Sequence, residues 1–186
     1  MKSYIDPPLT IADLEATPDD GNRYELIEGE LYVSTAPSYL HQSILMKIAI
    51  AVSGFLAVHP VGEILPGIGV IFDDFSGVIP DLVFFTNERK DHILAGGRLT
   101  AAPDIAIEIV SPGASNERRD RQIKRKLYST QGVGEYWIVD PETRSVEIHR
   151  KLHEAGFAMA ENLQIGDELT SSYLEGFRLP VQAIFQ

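Results

Sequence analysis

Pro103–Asp140 reads PDIAIEIVSPGASNERRDRQIKRKLYSTQGVGEYWIVD, and its apolar pattern changes period along its length. Asp104 to Val110 alternates in period two, setting Ile105, Ile107 and Ile109 on one face and Asp104, Ala106 and Glu108 on the other. Ser111-Pro112-Gly113 then makes a turn. Ser115 or Asn116 can cap a helix with Glu117 in its first turn, and Gly132 closes that helix. Tyr136–Val139 follows as an apolar strand, so the stretch is strand, turn, helix, strand.

On a regular helix Asp120, Ile123, Lys124, Leu127 and Tyr128 fall within about 140° of one another. Arg118, Arg119, Arg125 and Lys126 point the other way. Lys124 thus lies beside the buried stripe, near the strand that carries Glu108. One reading is an i,i+4 pair of Asp120 with Lys124 on a solvated, charged helix face. The other is functional and rests on Glu108. A carboxylate in mid-strand, bounded by isoleucines, is costly to bury unless it is paired or bound to a metal.

The 186 residues are 44% hydrophobic and 23% charged, the composition of one soluble globular domain with a single sizeable core. With no cysteine, disulfides, thiolate zinc sites and cysteine nucleophiles are excluded. The N-terminal stretch MKSYIDPPLTIADLEA has no apolar leader segment, and the longest uncharged apolar stretch, Ile48–Val58, is too short to span a bilayer. A cytoplasmic protein with no membrane partner is the expectation.

The net charge of −11 argues against a simple nucleic-acid-binding module. Residues 117–128, however, hold six basic groups (Arg118, Arg119, Arg121, Lys124, Arg125, Lys126) against Glu117 and Asp120, a local +4 that leaves −15 elsewhere. That concentration suits a phosphate-bearing substrate held by Arg118, Arg119, Arg121, Arg125 and Lys126, with salt-sensitive binding. An exposed helix that happens to be basic fits equally.

Earlier in the chain, Thr10 caps a short helix, and Arg23–Ile27 and Glu30–Ser34 read as a hairpin across Glu28-Gly29. Glu25 in the first strand is either an exposed strand residue or an accessory carboxylate. Tyr39–Val58 carries a helical apolar stripe after Ser38, with His41 at its edge, half-buried, either a satisfied core or capping residue or an accessory group. Gly62–Phe72 reads as one bent strand, Asp73–Gly77 as a turn, Val78–Phe85 as a buried strand with Asp81 near its entry, and residues 86–103 as a loop with one helical turn. Ser145–Arg150 and Gly156–Ala160 read as a hairpin, the last twenty residues as a segment closing over the core, and His149 and His153 as solvent-facing. Neither GxGxxG, GxxxxGK[ST] nor HExxH occurs.

These elements make an α/β (α+β) fold with a central mixed sheet flanked by helices and an N-terminal hairpin. Pro80-Asp81, Glu108-Ile109-Val110-Ser111-Pro112, Asp120-xxx-Lys124-xxx-Tyr128 and Gly132–Pro141, with Tyr24–Glu30 and Ser38-xx-His41-Gln42, resemble the Uma-two family of putative restriction endonucleases, within the PD-(D/E)xK nuclease superfamily. The resemblance runs over about residues 23–150. It implies a restriction-endonuclease-like core, a DNA substrate, and Asp81 and Glu108 as ligands of Mg²⁺ or Mn²⁺, with Glu25 as an additional acid. Where Glu-x-Lys would place the superfamily lysine, this chain has Val110; in the Uma-two pattern the lysine moves to the helix, to Lys124. Asp120 would then position Lys124, with Tyr128 behind it. The other reading is a non-catalytic nucleic-acid-binding or protein-interaction module on the same fold, and a homodimer would bring two sites to one duplex.

Overall fold

The computed structural model describes residues 7–152 and 156–186; His153 and the first six residues of the N-terminal stretch lie outside them. Helix α1 (Ile11–Glu15) opens as its cap predicts, the Asp13 carboxylate accepting from both the Thr10 N–H and hydroxyl. Strands β1 (Arg23–Ile27) and β2 (Glu30–Ser34) pair across Glu28 and Gly29, both with positive φ, as a two-residue hairpin turn requires. Helix α2 (Tyr39–Val58) follows, with Ser38 Oγ accepting from the His41 N–H.

The stretch read as one bent strand is two. β3 (Gly62–Pro66) and β4 (Val70–Asp73) belong to different sheets, and Gly67, at φ 60°, turns the corner between them. The expected turn at 73–77 supplies part of β5 (Ser76–Val78), which precedes β6 (Leu82–Thr86). These two strands also lie in different sheets, because Pro80 has no N–H with which to continue a ladder. Asp81 is therefore placed at the seam where the chain crosses over.

The segment read as a loop holds α3 (Asn87–Ile93) and a small hairpin, β7 (Leu94–Ala95) with β8 (Arg98–Leu99). After β9 (Ile105–Ile109) the helix starts at α4 (Ala114–Arg118) with Gly113, not Ser115 or Asn116, as its cap. It continues through a π-helical turn (Arg119–Lys124) into α5 (Arg125–Gln131) and stops at Gly132, φ 90°. β10 (Glu135–Asp140) and β11 (Ser145–Arg150) come next. Towards the expected 156–160 partner the end of β11 makes an isolated Lys151–Phe157 bridge, with the Ala158 N–H donating to the Arg150 carbonyl and the Leu152 N–H to the Gly156 carbonyl, while the β11 ladder goes to β12 (Glu161–Leu163). β13 (Glu168–Leu169), β14 (Leu179–Pro180) and α6 (Val181–Phe185) end the chain.

The central sheet runs β12-β11-β10-β9-β6-β3, with β9 and β10 parallel and the other neighbours antiparallel. The parallel pair is joined by the helix of residues 114–131, as a parallel connection demands. A second sheet, β2-β1-β5-β4-β8-β7, was not anticipated. Ile105, Ile107 and Ile109 pack with Ile44, Ile48 and Val52 of α2 and with Val181 and Ile184 of α6. The alternate residues Ala106 and Val110 pack instead with Val70 and Val78 of the second sheet and with Leu127 and Tyr128 of α5. Both faces of the central sheet are thus covered. That is why His149, read as solvent-facing, is buried in a cluster with the rings of Tyr136 and Phe157. α2 is long and apolar enough to cross a membrane, with a mean hydropathy of 1.5, but its His41, Ile44, Leu45, Ile48 and Val52 face is buried on the sheet.

A buried carboxylate ties the C-terminal segment to this sheet. Glu135 accepts from the Trp137 indole N–H (3.0 Å), the Ser172 N–H (2.9 Å), the Ser172 hydroxyl (2.7 Å) and Arg150 Nε (3.3 Å). Removing it strands the buried Trp137 indole and takes the acceptor from the Ser172 and Arg150 donors, one of them charged. Glu135→Ala is expected to lower the unfolding free energy by about 3 kcal/mol, with Glu135→Gln losing less, measured by urea denaturation.

Candidate active site

Four backbone segments converge beside the π-helical turn. Strand β9 points Glu108 away from its isoleucines, toward the helix and the second sheet. Strand β1 contributes Glu25, the sheet-crossing segment Asp81, and the helix Lys124. Glu25, Asp81, Glu108 and Lys124 are each 1–3% exposed. The Lys124 ammonium lies 2.8 Å from Glu25 Oε1 and 2.9 Å from Glu108 Oε1. Glu108 Oε1 also accepts from the Tyr128 hydroxyl at 2.8 Å. Backbone groups fix the other two acids, Ile79 N–H donating to Glu25 Oε1 and Ile109 N–H to Asp81 Oδ2, each at 2.8 Å. All four side chains line an open cavity of about 370 Å³.

His41, expected half-buried, is 6% exposed. It puts Nε2 3.2 Å from Asp81 Oδ1. The contact is not directed as a hydrogen bond, so among the described residues neither ring nitrogen has a hydrogen-bonding partner. Glu25 is buried and ion-paired, not an exposed strand residue.

Asp120 does not hold Lys124. Its Oδ1 accepts from Arg119 Nε at 3.0 Å, so the expected i,i+4 pair is replaced by a contact between sequence neighbours. The cause is the π-helical turn. The Tyr136 hydroxyl, buried under the helix, donates to the Asp120 carbonyl at 3.0 Å, occupying an acceptor of the regular i→i+4 ladder. Bonds of i→i+5 type then set residues five apart over one another, which brings Arg119 onto the Lys124 side. Arg119, expected to point outward, has only 13% of its side chain exposed and lines the cavity.

Of the other basic residues, Arg121 pairs with Asp140 (2.6 Å) and Glu147 (2.8 Å), and Lys126 with Glu28 (2.7 Å). Arg118 and Arg125 are exposed. A second depression, of about 510 Å³, shares Val33, Asn116 and Arg119 with the cavity and carries Arg118 and Lys126 along its wall. Sequence reasoning passed over Arg23, whose Nη1 lies 3.1 Å from Asp81 Oδ1. The available signal was strand alternation, which puts Arg23 on the same face as Glu25.

Burial pushes the Glu108 carboxyl up to about 8; Lys124 opposes this, while Asp81, Asp120 and Glu25 add to it. Burial also raises Asp120, against Lys124 and Arg119. Asp81 behaves differently. Burial would raise it, but the His41 ring, the Ile109 N–H and the Lys124 charge hold it below the usual carboxylate value. Burial disfavours the Lys124 ammonium, yet Glu108, Glu25 and Asp120 keep it above its ordinary value and charged. The Tyr128 phenol is held well above its ordinary value by burial and by Glu108, so it is a neutral donor.

Three buried carboxylates, Glu25, Asp81 and Glu108, thus line the cavity with Lys124, Arg119 and the partly exposed Arg23, and Asp120 lies against Arg119. A hard cation fits these oxygen donors. Among the described residues no three His, Asp or Glu side chains form a ready-made cation cage. The donor set matches an ion such as Mg²⁺, held by one or two carboxylates and completed by water and phosphate oxygens. Asp81 and Glu108 would supply the carboxylates.

A model of the Uma2 family, described as putative restriction endonuclease, matches residues 11–182, beyond both ends of the 23–150 span seen in the sequence. The fold is similar to the crystal structure of a putative nuclease belonging to DUF820 from Anabaena variabilis ATCC 29413, with a TM-score of 0.77. The identity is 18%, over 96% of this chain and 98% of that one, so the likeness is one of fold. No curated protein matches the chain.

The Glu108 shift has a sign that can be measured. Its carboxyl holds a proton more tightly folded than unfolded, so this contribution to stability is complete below about pH 4.5 and is lost as the pH rises through about 8. In chelator-treated protein, the unfolding free energy of the wild type should therefore decline across that window by a few kcal/mol relative to Glu108→Gln, measured by urea denaturation at successive pH values.

Proposed function

The chain belongs to the Uma2 family of putative restriction endonucleases, and from that premise we propose that it is a Mg²⁺- or Mn²⁺-dependent endonuclease that hydrolyses phosphodiester bonds in DNA. The observation that carries this reading is the meeting of Lys124 from the helix with Glu108 from the central strand, beside Asp81, in one open cavity. That arrangement supplies a lysine to the acids although the strand itself offers Val110 where a Glu-x-Lys motif would put one.

Asp81 and Glu108 would hold the metal, and the metal would lower the pKa of a bound water and offset charge on the phosphate. Asp81 is suited to this because it stays ionised, its Oδ2 locked by the Ile109 N–H so that Oδ1 faces the cavity. Lys124, being charged, acts as a donor and not as a base. One of its N–H groups donates to Glu108 Oε1 and its charge is paired with Glu25, so a further N–H can reach the attacking water or a phosphate oxygen. Glu25 keeps the ammonium in place, and Tyr128 fixes the Glu108 carboxylate from behind. Arg119 adds positive charge where a phosphate would enter, with Arg118 and Lys126 along the adjoining depression. One such site cuts one strand at a time, so concerted cleavage of both strands of a duplex would take two copies of the chain.

The test is a calorimetric Mn²⁺ titration of the wild type, Asp81→Ala and Glu108→Ala, with plasmid nicking in the same buffer. Saturable binding should be lost in both variants. Nicking should fall at least about 100-fold in these and in Lys124→Ala. A wild type that binds no Mn²⁺ overturns the reading in favour of a non-catalytic binding module.

A further inference from the structure

Asp81 already has a cation on the oxygen that faces the cavity. Arg23 Nη1 lies 3.1 Å from Asp81 Oδ1 and 3.4 Å from the Ile79 carbonyl oxygen, while Oδ2 is taken by the Ile109 N–H. The two partners are unequally held. Asp81 has 3% of its side chain exposed, and Arg23 has 32%. Of the guanidinium's five N–H groups, only those on Nη1 make a hydrogen bond among the described residues. Its backbone is the first residue of β1, paired with Ser34, and its side chain lines the same cavity as Glu108, Lys124 and Arg119.

A divalent ion and a guanidinium cannot share one carboxylate oxygen without strong repulsion. One must leave, and the exposed, loosely held group is Arg23. Its backbone is fixed in β1 at the rim of the cavity, so the released guanidinium remains within reach of an entering strand, where its planar fork matches two oxygens of a phosphate as a lysine would not. We propose that Arg23 is the internal counter-cation of Asp81, displaced when the metal binds and then used to grip a phosphate of the DNA strand. The proposal rests on the nuclease reading above. It makes Arg23 a positioning and substrate-binding residue with two opposite effects, weakening metal binding and strengthening DNA binding.

The opposed signs separate this from a structural role. In calorimetric titration of the metal-free protein with Mn²⁺, Arg23→Gln is expected to bind about tenfold more tightly than the wild type, which corresponds to about 1.4 kcal/mol. In steady-state cleavage of a labelled DNA duplex at saturating Mn²⁺, its KM should rise about tenfold. Arg23→Lys, which keeps the charge and loses the fork, should leave Mn²⁺ affinity near the wild type while still raising KM. Thermal melts of both variants establish that they are folded, as expected for a partly exposed residue at the start of a strand. Mn²⁺ binding by Arg23→Gln that is equal to or weaker than the wild type overturns this proposal alone, as does an unchanged KM. Absence of Mn²⁺ binding by the wild type overturns the nuclease reading and this proposal with it.

Discussion

A buried ammonium without a partner would cost several kcal/mol, and the site is built around meeting that demand. Lys124 reaches across from the helix to Glu25 on the N-terminal hairpin and Glu108 in the central sheet. Three parts of the chain far apart in sequence are thereby held to one geometry. The converse also holds, because the Lys124 charge opposes the rise that burial imposes on the Glu108 carboxyl. The pairing specifies where the second sheet sits against the first more sharply than apolar packing does, since a slide of a few ångströms would leave charges unpaired while costing little buried area. Asp81 enters the same arrangement through the backbone. Pro80 ends one ladder, the chain crosses between sheets, and the Ile109 N–H captures the aspartate that follows.

The π-helical turn follows from a polar group under the helix. Tyr136 is fully buried in the central sheet, and its hydroxyl needs an acceptor. It finds one in the Asp120 carbonyl, the helix widens locally, and Arg119 swings to the cavity side. A regular helix would have left Arg119 in solvent and Asp120 one turn from Lys124. A tyrosine with no direct contact to the cavity thus decides which cation lines it.

This explains what could be read from the sequence and what could not. The alternation of Ile105, Ile107 and Ile109 against Glu108, and the inward placing of Lys124, depend on periods that are local and strongly patterned. Both are found in the structure. The division of residues 62–85 between two sheets depends on Gly67, read as a bend within one strand, and on Pro80, read as lying inside the strand Val78–Phe85. The partner of Asp120, the inward turn of Arg119 and the burial of His149 depend on Tyr136 and Phe157, which come from elsewhere in the chain and have no local trace. Arg23 was legible in principle, two residues before Glu25 on an alternating strand, but its partner lies fifty-eight residues away.

The basic run also changes meaning once its contacts are known. Six cations in residues 117–128 suggest a uniformly positive strip on an acidic protein. In the structure Lys124 and Arg119 are spent on buried carboxylates, Arg121 on Asp140 and Glu147, and Lys126 on Glu28. Among the described residues Arg118 and Arg125 alone of the six make no ion pair and are left to attract a polyanion from a distance, and the acidic remainder opposes its approach. Exposed pairs such as Lys126 with Glu28 are weak and can be traded for a phosphate at small cost, whereas the buried ones cannot. On the proposed nuclease reading, attraction for a phosphate backbone would therefore be local to the cavity and its adjoining depression, and recognition would depend on entry into the cleft more than on a charged surface.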